Sequence, residues 1–154
     1  MNVFAMEKTK IYKTRIQKAK PIELILINYE MTIDCIQIAL NWLEDGNNAY
    51  TDAINQAQAF IAELYASLDL SIGLSSYLAD LYLFINRKLI EGKTRTNKED
   101  KAKALTEAKA LLTELLSSWH QIAQNPQIFS ELPYDKNGEL LEYEDYNPNR
   151  GYEA

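Results

Sequence analysis

The sequence contains few of the residues that break helices or build catalytic and metal sites. Its 154 residues include five glycines, four prolines, one cysteine and one histidine. No proline occurs between positions 22 and 125, where glycine occurs only at positions 46, 73 and 92. A β-sandwich needs a turn roughly every 8–12 residues, and turns use glycine and proline. These shortages exclude a loop-rich β fold and predict long helices separated by three breaks.

The lone cysteine and the lone histidine limit the chemistry of the chain. A single thiol, Cys35, excludes an internal disulfide and a thiolate zinc site, and it falls on an apolar row where a buried side chain is expected. His120 has no acid three residues before it, whereas a di-iron bundle needs two Glu-x-x-His motifs. The Ser-His-acid, phosphate-loop and nucleotide-binding patterns are also absent. We therefore predict no enzyme activity, no metal ion and no cofactor.

Long uninterrupted apolar runs are missing as well. The N-terminus has no apolar core of a secretory signal, and the richest apolar stretch, 21–43, contains Glu23, Glu30 and Asp34. A free thiol is typical of a reducing compartment. We predict a cytoplasmic protein without membrane insertion.

Charge is divided unequally along the chain, whose formal net charge is −6. Residues 1–20 hold six basic residues and one acid, residues 125–154 hold seven acids and two basic residues, and the middle is acidic. An acidic body repels nucleic acid, so we predict no nucleic-acid partner. The basic arm has two interpretations: a helix that docks on a membrane surface or partner, or an arm that folds back on its own acidic bundle.

Apolar spacing predicts two helices in the first half of the chain. Proline suits the first turn of a helix, so the first helix begins at Pro21. It is apolar nearly all round and ends at Asp45-Gly46, in the manner of a left-handed C-cap. The second helix begins after Asn48, a candidate N-cap. Its apolar residues form a narrow seam that ends at Leu68.

Two more helices are predicted before position 125. The third begins near Leu74 and stops at Glu91-Gly92. A loop over 93–100 holds a capping-box candidate, Thr96 with Glu99. The fourth helix then runs to Asn125-Pro126, because the residue before a proline disfavours helical geometry.

Short connections place consecutive helices as antiparallel neighbours. The predicted fold is therefore all-α: an antiparallel up-down four-helix bundle with an additional N-terminal arm or short helix and an irregular acidic C-terminal tail. The predicted organisation is a helical-bundle domain, 1–124, with the basic arm at 1–20 and the bundle at 21–124. The tail, 125–154, is acidic and rich in tyrosine.

Short segments between Tyr12 and Trp119 carry a family resemblance. Tyr12 and Ile16 precede Ala19-Lys20-Pro21-Ile22-Glu23-Leu24, which is similar to an Ala-x-Pro-x-Glu-Leu signature, and the segment 81–89 is similar to a Leu-Tyr-x-Tyr-Met-Asn-Arg-Arg-Leu block. In order and spacing these segments resemble the FliS-type flagellin export chaperones of bacterial flagella. Lys18, Asn28 and Phe84 depart from the family pattern, and the tail has no counterpart in it.

The resemblance implies a fold, a role and a contact surface. Family members are antiparallel helical bundles whose N-terminal segment packs over a hydrophobic groove. They bind the disordered C-terminal segment of flagellin, prevent its premature polymerisation in the cytoplasm and assist its delivery to the flagellar export apparatus. The resemblance implies client contacts at Tyr12, Ile16, Pro21, Leu24, Tyr29, Tyr82, Asn86 and Arg87. Leu24, Tyr29 and Tyr82 also fit positions in the core.

Other functions stay open from the sequence. One alternative is a self-associating helical adaptor or structural bundle, with a homodimer formed through the apolar surface. Another is a chaperone for a different export client. The aromatic residues among the acids of the tail fit either a solvated segment or one that docks on a basic or apolar surface, including the protein's own arm or groove. The arm itself is a candidate lid over the groove.

Overall fold

The computed structural model describes residues 6–71 and 73–124, and these residues are helical with short connections and no strand. The helices are α1 (Met6–Lys18), α2 (Pro21–Glu44), α3 (Tyr50–Ala66), α4 (Gly73–Thr94) and α5 (Lys98–Gln124). The all-α prediction is confirmed for this part of the chain, and the arm contains a helix. The predicted irregular tail, 125–154, lies outside the described residues.

Four of the helices enclose one core. α2 packs against α3 and α5, and α4 packs against the same two helices. Trp119 near the end of α5 contacts Tyr29 near the start of α2, whereas Lys98 at the start of α5 contacts Glu44 at the end of α2. The two helices therefore run in opposite directions. Within the described residues α1 packs only on α2.

The core is formed by apolar side chains from α2 to α5; on α2 it includes Leu26 and Ile27, whereas Leu24 is exposed. Ile36, Ile54, Ile85 and Leu112, one from each of α2 to α5, are fully buried, and free Cys35 is buried beside them as predicted. Burying such a side chain stabilises the fold by about 1.5–3 kcal/mol. Because each helix from α2 to α5 contributes to this core, these four helices hold one another in place.

The connection between α2 and α3 confirms one predicted signal and corrects another. Gly46 has a φ of +74°, the left-handed conformation expected of a residue that ends a helix. The Asn48 cap is wrong, because α3 begins at Tyr50 and it is Asn47 whose Oδ1 accepts a hydrogen bond from the Ala49 amide at 2.9 Å. The Asn47 contact is a turn within the connection, and the N-cap position of α3 is Ala49, which has no side-chain cap.

The connection between α4 and α5 is shorter than predicted. α4 does not stop at Gly92 but continues to Thr94. A Cβ at Gly92 would lie 2.5 Å from Cδ2 of Leu105, so this glycine serves the close approach of α4 and α5. The Thr96 capping box is also wrong. Asn97 caps α5 instead, since its Oδ1 accepts a hydrogen bond from the Asp100 amide at 2.8 Å.

Candidate functional site

A polar link in the core joins three helices. The hydroxyls of Tyr29 on α2 and Tyr82 on α4 are 2.6 Å apart, and Nε1 of Trp119 on α5 donates to the Tyr29 hydroxyl at 3.1 Å. All three side chains are buried. Burial raises the pKa of Tyr29 to about 12, while its hydrogen bonds to Tyr82 and Trp119 act in the opposite direction. Tyr29 is therefore neutral at physiological pH and positions helices without reaching the surface.

Tyr82 also borders an open groove between α3 and α4. The groove holds a pocket of about 220 Å³. At one edge, Nε2 of Gln58 donates to Oδ1 of Asn86 at 2.9 Å. We call this surface the α3–α4 groove; its lining residues are Gln58, Ile61, Ala62, Tyr65, Tyr82, Leu83 and Asn86. An apolar pocket with a few polar groups at its edge is the usual form of a ligand-binding site.

Apolar side chains continue from the groove onto the outer face of α4. Leu83 is 49% exposed, and Tyr77, Phe84 and Ile90 are also exposed. Arg87 lies exposed among them, and it has no ion pair within the part of the chain that the structure describes. Exposed apolar side chains that lie together often mark a protein interaction surface. The α3–α4 groove and the outer face of α4 therefore form one apolar surface with a basic residue on it.

A second surface lies where α1 meets α2. The Tyr12 hydroxyl donates to Asp34, and Nη1 of Arg15 contacts Oε2 of Glu30 at 2.5 Å. Burial and the hydrogen bond to Asp34 raise the pKa of the Tyr12 hydroxyl. The arm thus folds back on acidic residues of α2, as one of the two interpretations of its charge expected.

The same contact leaves a cleft beside it. A pocket of about 490 Å³ separates α1 from the first two turns of α2, with the buried side chains of Leu26 and Ile27 at its inner side. We call it the α1–α2 cleft; its lining residues are Thr14, Arg15, Lys18, Glu23, Leu26 and Ile27. The exposed residues Ile16 and Leu24 lie on the same two helices. This surface combines apolar and basic groups.

The eight residues predicted as client contacts fall into three places. Tyr12, Ile16, Pro21 and Leu24 belong to α1 and the start of α2, and Leu24 is exposed rather than part of the core. Tyr29 lies in the buried link. Tyr82 joins that link to the α3–α4 groove, where Asn86 lies at the edge and Arg87 on the outer face of α4.

Sequence analysis missed two exposed residues of the groove, Tyr65 and Leu83. Both lie outside the 3–4 spaced seams that identified the core, and large apolar residues off a seam are the signal that would have found them. Leu83 lies within the segment 81–89 that carries the family resemblance, but the resemblance implied no contact at this position or at Tyr65.

The described residues offer no arrangement for metal chemistry. No group of three histidine, cysteine or acidic side chains in residues 6–71 and 73–124 is placed to hold a metal ion, and His120 is exposed. Acids between α4 and α5 are engaged with bases: Nζ of Lys88 contacts Glu91 at 3.2 Å and Glu107 at 2.8 Å. In the same part of the chain no helix is long and apolar enough to cross a membrane.

Comparison with known proteins adds a family assignment to this geometry. The model of the FliS family, described as flagellar protein FliS, matches residues 5–126. The match covers α1 to α5 and most of the chain. A search of curated proteins found no significant match.

Proposed function

The chain belongs to the FliS family, a family of flagellar export chaperones, and we propose that it binds the disordered C-terminal segment of a flagellin in the cytoplasm. In this role it prevents premature polymerisation of flagellin and assists its delivery to the flagellar export apparatus. The FliS family is a chaperone family and not a family of enzymes. The observation that carries the proposal is the apolar α3–α4 groove, which is lined by two of the predicted contacts, Tyr82 and Asn86.

The fold of this chaperone is an up-down four-helix bundle, formed by α2 to α5, with α1 as an additional N-terminal helix. In this arrangement each of α2 to α5 packs against two others of the four. These contacts and the opposite directions of α2 and α5 support the bundle. The helical-bundle domain covers 1–124 and the acidic tail 125–154. Such a bundle holds a groove open without its client, because the helices on both sides of the groove are fixed by the core.

The client binds two surfaces, the α3–α4 groove and the region where α1 meets α2. An apolar face of an amphipathic client helix suits the groove, where Leu83 and Tyr65 are exposed. Asn86 and Arg87 lie where they can bind backbone carbonyls or acids of the client. Tyr12, Ile16, Pro21 and Leu24 form the second surface. Tyr29 and Tyr82 act mainly by holding α2, α4 and α5 at the distances that shape the groove.

The arm is a lid only over α2. Within the described residues α1 does not contact α3 or α4, so it leaves the α3–α4 groove open. Removal of residues 1–20 then exposes α2 residues such as Leu26 and Ile27 next to the second surface. The deletion also removes the proposed contacts Tyr12 and Ile16, so a flagellin C-terminal peptide binds the shortened chain more tightly in calorimetry only where the lid role of the arm outweighs these contacts. Equal or weaker binding contradicts a lid role that outweighs them.

Substitutions of two exposed leucines test the groove itself. Leu83→Glu places a charge in the α3–α4 groove, and we expect the peptide to bind the full chain about tenfold more weakly, a loss of about 1.4 kcal/mol. Leu70→Glu is the matched control, because Leu70 is 56% exposed and lies in the connection between α3 and α4. The measurement is titration calorimetry with a peptide of the flagellin C-terminal segment. Equal affinities of the two variants would contradict the assignment of the groove.

The exposed outer face of α4 favours one alternative function. Tyr77, Phe84 and Ile90 are exposed on this helix, and such a face also suits a second copy of the chain. A self-associating adaptor forms a homodimer and ignores the peptide, whereas a chaperone for a different export client stays monomeric and ignores it. Light scattering with and without the flagellin peptide separates these two alternatives from the proposed function.

A further inference from the structure

The last described residues of α5 lie at the same end of the molecule as the α1–α2 cleft. Trp119, near the end of α5, contacts Tyr29 near the start of α2, so the end of α5 and the start of α2 are at the same end of the molecule. The opposite end is marked by the contact of Lys98 with Glu44. Residues 125–154 follow α5 directly, and α1 joins α2 through residues 19–20 at this same end. The tail is therefore joined to the bundle at the end of the molecule where the cleft lies.

The helix α1, which forms one wall of the cleft, is rich in basic residues. Lys10, Lys13, Lys18 and Lys20 are exposed, and none of them has an ion pair with another described residue. Arg15, which also lines the cleft, is already paired with Glu30, and Glu23 is the acid in the lining. Of these lysines Lys18 lines the cleft itself, and the others lie on α1 or directly after it, in a protein whose formal net charge is −6.

The tail has the complementary chemistry. Its seven acids outnumber its two bases, and they alternate with large aromatic residues. The densest part, 142–146, reads Glu-Tyr-Glu-Asp-Tyr. Thirty residues can extend over about 100 Å, whereas the 13-residue α1 is about 20 Å long, so this segment reaches every part of the cleft.

We propose that the segment 139–146 of the tail docks in the α1–α2 cleft of its own chain. An aromatic side chain of the segment fills the pocket against Leu26 and Ile27, and its carboxylates pair with the lysines of α1. The docked segment touches α1 and α2 together and therefore holds the arm on the bundle. This inference does not depend on the identity of the client, because the tail and the cleft belong to the same molecule.

The predicted pairs are directly accessible to zero-length cross-linking. A carbodiimide joins a lysine to a carboxylate only when the two groups are in contact. In the full chain at physiological ionic strength we expect cross-links from Glu142, Glu144 and Asp145 to Lys13, Lys18 and Lys20, read by mass spectrometry. Lys98 and Lys103 are the control, since they are exposed on the first turns of α5 at the opposite end. Cross-links that are absent, or equally abundant at the control lysines, overturn the proposal.

A double variant distinguishes docking of the tail in the cleft from general attraction between opposite charges, and an isotope mixture shows whether the contact is within one molecule. In the full chain, Tyr143→Ser with Tyr146→Ser keeps every charge and should abolish most of the cross-links, because the aromatic anchor is lost. Unchanged cross-links would mean that the acids of the tail are attracted to the lysines of α1 by charge alone. The cleft would then not be the binding site of the tail. A mixture of labelled and unlabelled protein identifies the partner: links within one molecule are expected, and links that combine both isotopes would assign the cleft to a second copy.

Discussion

Tyr29 and Tyr12 both join two helices through their hydroxyl groups, but in very different surroundings. Tyr29 lies in the core, where Tyr82 and Trp119 complete its hydrogen bonds. Tyr12 lies at the half-buried contact of α1 with Asp34 on α2. The core link is supported by apolar packing from all sides, whereas the arm is held by a few polar groups close to water. The bundle should therefore be rigid and the arm readily detached.

The largest expected effect is a loss of stability when a side chain of the core is shortened. Ile36→Ala removes a fully buried side chain and should lower the free energy of unfolding by about 2–5 kcal/mol. Ile11→Ala makes the same change in α1 at a side chain that is 59% exposed, and it should cost less than about 0.5 kcal/mol. Urea denaturation of both full-length variants measures the difference. Equal losses would show that α1 is part of the core unit.

The second effect is a loss of stability at alkaline pH. Burial raises the pKa of Tyr29 to about 12, above the value of about 10 that tyrosine has in the unfolded chain. Between pH 10 and 12 the unfolded chain releases this proton while the folded protein keeps it. The free energy of unfolding should therefore fall by about 3 kcal/mol through this group, and the contribution is fully present below pH 10.

Tyr29→Phe is the control for that pH dependence. The variant loses the hydrogen bonds to Tyr82 and Trp119 and should be less stable at neutral pH by about 1–3 kcal/mol. Its stability should also fall less steeply above pH 10 than that of the unchanged protein. Tyr12 is present in both proteins, so its own raised pKa does not affect the comparison. Parallel pH profiles would mean that Tyr29 does not titrate differently on unfolding.

The smallest effect is expected at the arm. Arg15 and Glu30 form an ion pair that is largely open to water, so a double-mutant cycle with Arg15→Ala and Glu30→Ala should give a coupling energy of about 0.2–1 kcal/mol. The coupling should shrink as salt is added, because exposed charges are screened. A coupling near 3 kcal/mol that ignores salt would place the arm contact in the same class as the core.

The helices were predictable from sequence because each of them repeats the same apolar period over several turns. The burial of Cys35 and the left-handed Gly46 followed from that period and from the residue types. The caps at Asn48 and Thr96 were wrong because several adjacent residues can cap a helix and the turn geometry selects one. Gly92 was misassigned because the closeness of Leu105 is a contact between helices, and no local pattern reports it.

The candidate site was predictable only in part, since its residues are distant in the chain. The family resemblance implied contacts at Tyr29 and Tyr82 as two separate positions, because the hydrogen bond between their hydroxyls depends on how α2 and α4 are brought together. Leu24 was assigned equally to core and surface because α2 is apolar nearly all round. Its exposure depends on which faces of α2 are covered by α1, α3 and α5.

By itself, the sequence determined the all-helical class, the segmentation of charge and the membership of a chaperone family, because periodicity, composition and motifs are local properties. Tertiary structure alone decided that Tyr29 is internal, that a groove opens between α3 and α4, and that a cleft remains between α1 and α2. Grooves and clefts are spaces between elements. Their shape depends on how closely helices approach, and that distance is set by side chains from separate parts of the chain.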